Sequence, residues 1–411
     1  MNRRVVVTGL GIVSPLGCKV DECWRRVVAG ESGIHKISLI DLTDLKVTIG
    51  GDIPDFNPAG YIEVRELNRI DRFAQFAIVA ATDAIRDSML DCSGDTRRFG
   101  VVLGSGIGGL ETIEDQVVRL SSKGPGRVSP MTIPRLMLNA GGGNIAIMHG
   151  LRGPNYSIAT ACASATNAMG NALEHIRSGL CDVVVTGGAE AAITRIGMSA
   201  FSNMRALSTR NDAPQLASRP FDSGRDGFVF AEGAGILIFE ELGHAQQRGA
   251  KIYGEVVGFG TTCDAGHITQ PDEMGTGAAE AMRMALIDAK ISGDKIDYIN
   301  AHGTSTPLGD IAETKAIKTI FGKHAGLLSI SSTKSQLGHS LGASGGIELV
   351  LSIKAMLEST VPPTINLTNP DPACDLDFTP NFAKSREIQY SMSNSFGFGG
   401  HNASIIAKRF E

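Results

Sequence analysis

The sequence predicts an α/β fold of two similar halves, residues 1–250 and 251–411, in which β-sheet layers are covered by helices. Strand-like runs rich in Val, Ile and Gly alternate with helical stretches along the chain. Segments of the first half return in the second, in the same order. No low-complexity linker or run of like charge interrupts either half.

Taken in order, RRVVVTGLG near the start is echoed by AKIYGEVVGFG at Ala250–Gly260. FGVVLGSGIGG at Phe99–Gly109 is echoed by IDYINAHGTST at Ile296–Thr306. SIATACASATNAMG then parallels LSISSTKSQLGHSLGASGG, and EGAGILIFEE parallels GGHNASIIAKRF. Each half therefore reads strand, helical stretch, strand, a turn bearing a thiol or an imidazole, helix and terminal strands. In the thiol segment, Ala165, Ala168, Met169, Ala172, Leu173 and Ile176 recur at helical spacing, and Gly179 supplies the stop. This predicts a buried helix with Cys162 near its start, where the helix N-terminus would lower the thiol pKa.

Length and composition narrow the function. The 411 residues are 42% hydrophobic and 20% charged, which suits a globular protein. A formal charge of −5 gives no bulk reason to expect nucleic-acid binding, although a local basic patch for an acidic partner stays open. The chain has no apolar run long enough to span a membrane, and the opening MNRRVVVTGLGIVSPLG breaks before a signal-peptide core develops. The expectation is a soluble cytoplasmic protein, or the mature form of an organellar enzyme. Seven cysteines with no CxxC pair argue against a disulfide framework and against structural zinc.

The glycine motifs GLG at Gly9–Gly11 and GSGIGG at Gly104–Gly109 do not complete a dinucleotide fingerprint. The first lacks its third glycine, the second has the wrong spacing, and no acidic residue follows at the ribose-gripping position. What remains is one thiol, Cys162, and two imidazoles, His302 in AHGTSTPLGD and His339 in STKSQLGHS, each framed by small residues.

Together TACASA, AHGTSTPLGD and STKSQLGHSLGA resemble the β-ketoacyl-acyl-carrier-protein synthases of the thiolase superfamily, and the synthase II type most closely. LRGPNYSIATACAS, ASRPFDSGRDGFV, VPPTINLTNPDPACDLDF and SNSFGFGGHN extend the resemblance over nearly the whole chain. The resemblance implies a five-layered αβαβα thiolase-like fold and a homodimer. It implies that Cys162 takes an acyl group from acyl carrier protein, and that malonyl carrier protein loses carbon dioxide and extends the chain by two carbons. A polyketide or specialised lipid ketosynthase of the same mechanism is the alternative.

The chemistry suits these residues. Decarboxylation leaves an enolate, and neutral His302 and His339 would stabilise it by donating Nε2–H in a dry pocket. The resemblance further implies an oxyanion hole from Cys162 and Phe398. It assigns Lys334 and Glu313 as a pair ordering the histidines, with Asp310 in the same network. Thr304 and Thr306 match phosphopantetheine-binding positions; Ile107 and Phe398 match the acyl-pocket floor and a gating aromatic. Arg65, Arg69, Arg127 and Arg205 fall where the family docks its acidic carrier. Asn300, Glu348, Ser393 and Asn394 match a structural monovalent-cation site, for Na+ or K+. No cofactor is required beyond the phosphopantetheine that arrives on the carrier.

Three positions depart from common family residues: Ala165, Ala231 and His401. Ala165 is expected to narrow the acyl or malonyl approach, and His401 to be structural. A thiolase would normally bring a second cysteine in a late CxG motif, where this chain has GFGGHN. A starter-condensing synthase would carry Asn where His339 stands, and a silent chain-length partner would lack Cys162.

Overall fold

The computed structural model describes residues 3–411. Among these residues, ten strands form one hydrogen-bonded sheet, five from each half. The first half supplies β1 (Val5–Val13), β2 (Phe99–Gly104), β3 (Asn155–Ile158), β4 (Val183–Glu190) and β5 (Gly233–Glu241). The second supplies β6 (Gly254–Cys263), β7 (Tyr298–Asn300), β8 (Ser329–Ser331), β9 (Tyr390–Gly397) and β10 (His401–Lys408).

Across the sheet the order is β8-β7-β9-β10-β6-β1-β5-β4-β2-β3. From the edge inward, β3, β2 and β4 pair in parallel, and β4, β5 and β1 pair antiparallel. The other half repeats this: β8, β7 and β9 are parallel, and β9, β10 and β6 antiparallel. The half-sheets share one topology and meet over Val5–Val7 of β1 against Gly254–Val256 of β6. The repeated sequence segments fall on equivalent elements of this duplication.

Five helices complete the layers: α1 (Arg72–Ser88), α2 (Ser164–Arg177), α3 (Thr276–Ala289), α4 (Pro307–Phe321) and α5 (Ser344–Glu358). Side chains alternate across a strand, so each strand feeds two cores. On β5, Leu237 and Phe239 join α2 and α5, whereas Ile236 and Ile238 join α1. On β10, Ile405 and Ala407 join the α2 and α5 core, whereas Ile406 joins α3 and α4. The result is αβαβα, with α2 and α5 as the middle layer. Strands covered on both faces explain the continuous apolar runs in the sequence.

The helix predicted after Cys162 is present: Ala165, Ala168, Met169, Ala172, Leu173 and Ile176 are all buried. Among the described residues, no helix is long and apolar enough to cross a membrane. The consequence of the duplication for function is positional. Loops leaving the C-terminal ends of the parallel strands β2 and β3 face those leaving β7 and β8.

Candidate active site

Cys162 occupies the short turn between β3 and α2, and His339 the matching connection between β8 and α5. Ala161 holds φ at +49°, a left-handed conformation unfavourable for a residue with a Cβ, so the turn that presents the thiol is strained. Gly397 is required beside it, because a Cβ there would lie 2.9 Å from both the Cys162 nitrogen and the Thr160 carbonyl.

His339 Nε2 sits 3.0 Å from Cys162 Sγ, and its Nδ1 sits 3.0 Å from Ser344 Oγ at the start of α5. The backbone fixes the ring from both sides: His339 N–H donates to the Val229 carbonyl at 2.8 Å, and its carbonyl accepts from Ala231 N–H at 3.0 Å. His302 leaves the end of β7, with its ring centre 5.4 Å from that of His339 and nearly perpendicular to it. Glu313 on α4 accepts from the N–H groups of His302 (2.9 Å) and Gly303 (2.8 Å), which orders the loop bearing this imidazole.

Burial, followed by the charge of Lys334, holds both histidines well below the ordinary imidazole range. This lowering favours the neutral form of both imidazoles. The thiol departs from expectation. Burial pushes Cys162 up to about 12, overriding the lowering expected at a helix start, while Lys334 and the N–H groups of Phe398 and Cys162 itself act downward. The resting thiol is therefore protonated.

Lys334 also departs from the expected pairing. Its buried ammonium bonds Glu348 on α5, whereas Glu313 is satisfied by backbone amides and Asn394. A buried ammonium needs a carboxylate close by, and α5 brings Glu348 closer than α4 brings Glu313. Asp310 lies in a different set of contacts from the histidines. It accepts from Phe221 N–H at 2.8 Å and faces Arg225 at 3.4 Å, and burial raises it to about 7.

Ile107, Thr304, Thr306, Phe398 and Arg205 line the same cavity of about 580 Å³ as Cys162, His302 and His339. Thr304 and Thr306 share a hydroxyl hydrogen bond of 3.0 Å. Phe398 stands in a turn whose Gly399 and Gly400 adopt positive φ, and its ring faces Phe201 at 6.4 Å. Ala165 is not on the cavity wall, contrary to expectation. It is fully buried against the strands, where a Cβ on Gly188 would come within 2.8 Å of its methyl group. Ala231 packs beside Gly51 and Gly338, and His401 pairs with Gly397 and Cys263 in the sheet.

For the cation, Asn300 Oδ1, Glu348 Oε2 and Ser393 Oγ are buried without hydrogen-bond partners among the described residues, and Asn300 sits opposite Ser393 in the β7–β9 register. This oxygen set fits a hard cation. The Asn394 side chain does not join it: the next residue along a strand points to the other face, where Asn394 bonds Glu313 and Ser404.

All four docking candidates are exposed, but they differ electrostatically. Arg65 pairs with Glu63 and Arg69 with Glu66. Arg127 instead shares a surface hollow with Arg119 and Lys123. Sequence reasoning missed these two neighbours, which the one-turn spacing of Arg119 and Lys123 signals. It also missed Ser344 as the partner of His339, for which no local signal exists.

The sequence profile of the beta-ketoacyl synthase N-terminal domain matches residues 2–245, and that of the C-terminal domain matches residues 253–368. A 3-oxoacyl-acyl-carrier-protein synthase 2 of Staphylococcus aureus is 50% identical over 411 residues, covering 100% of this chain and 99% of the relative. A beta-ketoacyl synthase structure from Burkholderia phymatum superposes with a TM-score of 0.93 at 37% identity. The ketosynthase of a type II polyketide synthase, solved with its acyl-carrier protein and bound to a hexaketide, superposes with 0.92 at 35%. Both structural matches cover 100% of each chain.

Proposed function

Because the chain belongs to the beta-ketoacyl synthase family, we propose that it is a 3-oxoacyl-acyl-carrier-protein synthase of the elongating type, extending fatty acids by two carbons. The observation that carries this reading is the contact of Cys162 Sγ with His339 Nε2 at 3.0 Å, with His302 beside it in one buried cavity.

In the first stage Cys162 sulfur attacks the acyl thioester on the carrier's phosphopantetheine. The oxyanion of the tetrahedral intermediate is received by the N–H groups of Cys162 and Phe398. The carrier thiol leaves with the proton of Cys162, and an acyl-enzyme remains. Thr304 and Thr306 hold the phosphopantetheine arm, Ile107 closes the acyl pocket, and Phe398 gates it.

In the second stage malonyl carrier protein enters and its carboxylate departs as carbon dioxide. The electron pair of the broken bond becomes an enolate, whose oxygen accepts hydrogen bonds from His302 and His339. Neutral imidazoles suit this because they donate without transferring their proton outright. Ser344 donates its hydroxyl hydrogen to His339 Nδ1, which leaves the hydrogen on Nε2. The carbanion attacks the Cys162 thioester, the new carbon–carbon bond forms as the carbon–sulfur bond breaks, and the released thiolate takes up a proton from solvent. Glu313 keeps His302 in place through its backbone, and the Lys334–Glu348 pair stabilises the region where the carboxylate leaves. Asp310 holds the segment from Phe221 to Arg225 against α4.

Asn300, Glu348 and Ser393 would hold a monovalent cation, which would supply the missing partner of three buried oxygens and fix β7 and β9 against α5. Two copies would join along β3, an edge strand only partly covered, whereas the opposite edge strand β8 is buried. Acyl carrier protein would dock on the arginine-rich rim in the cytoplasm.

Mass spectrometry of the protein after incubation with acyl carrier thioesters tests the reading. We expect a thioester on Cys162 and none in Cys162→Ala. Acyl transfer retained by that variant would sink the assignment. Identification of the product formed with malonyl carrier protein separates a single two-carbon extension from the repeated, unreduced extension of a polyketide synthase.

A further inference from the structure

Glu190, the last residue of β4, is fully buried and has no salt-bridge partner among the described residues. An isolated carboxylate in a protein interior is unfavourable unless donors surround it, and here they do. Its oxygens accept from the N–H groups of Gly106 (2.7 Å), Ile107 (3.2 Å) and Gly108 (3.3 Å) and from Ser105 Oγ (3.0 Å). They also accept from Gly342 N–H at 3.1 Å. The first four donors belong to the loop leaving β2, which places Ile107 on the cavity wall. The fifth belongs to the connection from His339 to Ser344 and follows Leu341, another wall residue, held at φ +44°.

The socket is closely fitted. A Cβ on Gly342 would lie 2.3 Å from Gly106 nitrogen and 2.7 Å from Glu190 Oε2, and one on Gly106 would lie 3.0 Å from the same oxygen. One carboxylate thus fastens two loops, from different halves of the fold, that form facing parts of the cavity.

We propose that Glu190 is a positioning residue that sets the depth of the acyl cavity by anchoring the Ile107 loop to the turn following His339. The inference rests on the reading of the chain as an acyl-accepting condensing enzyme. An acyl chain long enough to press on Ile107 works against this anchor, so chain-length selection depends on it. Glu190→Gln keeps the shape but replaces one accepting oxygen with an amino group that cannot accept.

Acylation of Cys162 is measured as kcat/KM for short and long acyl-carrier-protein thioesters, alongside hydrogen exchange of the amides at 105–108 and 341–343. Glu190→Gln is expected to change the long-to-short ratio by about tenfold in favour of long chains, on the scale of a pocket altered by a methylene or two. Exchange should rise in both segments together. Ser105→Ala removes a single donor and should shift the ratio in the same direction by less, which keeps the test available if Glu190→Gln fails to fold. An unchanged ratio, with both chain lengths slowed equally, or exchange rising in one segment alone, overturns the inference. Failure of the unaltered protein to acylate would instead remove the underlying functional reading, and the exchange experiment would still decide whether Glu190 couples the loops.

Discussion

His339 stands between Cys162 and Ser344, and its neutral ring gives it one defined task. Replacing one donor aimed at a developing oxyanion typically slows a reaction by about a hundredfold or more. We expect His339→Ala and His302→Ala each to reduce malonyl decarboxylation by that order while acyl loading of Cys162 falls less. Release of labelled carbon dioxide in a Cys162→Gln background, set beside acyl-enzyme formation, reads the two steps apart. Equal losses would contradict the division of roles. Asp310 makes a second prediction, in pH. Unfolded, its carboxyl titrates near 3.8; folded, burial raises it to about 7. Between these values the folded state holds a proton that the unfolded state lacks. The stability from this group is thus full below the unfolded value and is lost as pH rises through the folded one. Asp310→Asn cannot ionise and should gain on the parent between about pH 4 and pH 8, by on the order of a few kcal/mol. Urea denaturation at both ends measures the difference. The two buried histidines shift the opposite way, losing stability as pH falls below their unfolded value of 6.5, but do so in both proteins and cancel. A difference independent of pH would assign Asp310 an ordinary surface-like carboxyl.

The middle layer depends on how closely α2 and α5 approach. A Cβ on Gly345 would lie 2.1 Å from Thr166 Oγ1, and Thr166 is itself bonded to Ser395 on β9. Gly345→Ala must therefore separate the helices that present Cys162 and His339. Overpacking of this kind costs about 1–3 kcal/mol, so a lower denaturation midpoint and slower Cys162 acylation are expected together. A normal midpoint with normal acylation would show that the helices can yield. This contact also marks what sequence could and could not convey. The stripe from Ala165 to Ile176 identifies the buried face of α2, because helical periodicity is local. The partner of that face is non-local, so the stripe gives no sign of α5 or of the Thr166–Gly345 crossing. The same limit explains the thiol, the lysine and the alanine. A helix start was readable, but the burial that raises Cys162 was not; the charge of Lys334 was readable, but not its choice of Glu348. Ala165 follows the nucleophile closely in sequence, yet helical rotation turns it to the strands rather than to the cavity.

Duplication places the thiol and the imidazoles in one site because the same strand order is used twice. The repeated segments from RRVVVTGLG to GGHNASIIAKRF make that architecture legible in the sequence. Charge distribution over the whole surface was less legible, since composition reports only a formal −5. In the folded protein Arg65 and Arg69 are partly offset by Glu63 and Glu66, whereas Arg119, Lys123 and Arg127 gather around one hollow. An acidic carrier steered by these surface charges would feel them only within about a Debye length, roughly 8 Å at physiological salt. Raising salt from about 50 to about 500 mM should therefore raise KM for acyl carrier protein severalfold while leaving kcat nearly unchanged. The same acyl group on free pantetheine, which carries no acidic protein surface to meet these charges, should show little salt dependence. Arg127→Glu should raise KM at low salt and flatten its salt dependence, and Arg65→Glu should do less because its charge is already shared. Equal salt dependence for carrier-bound and free pantetheine substrates would place the electrostatic effect inside the cavity and remove these surface charges from docking.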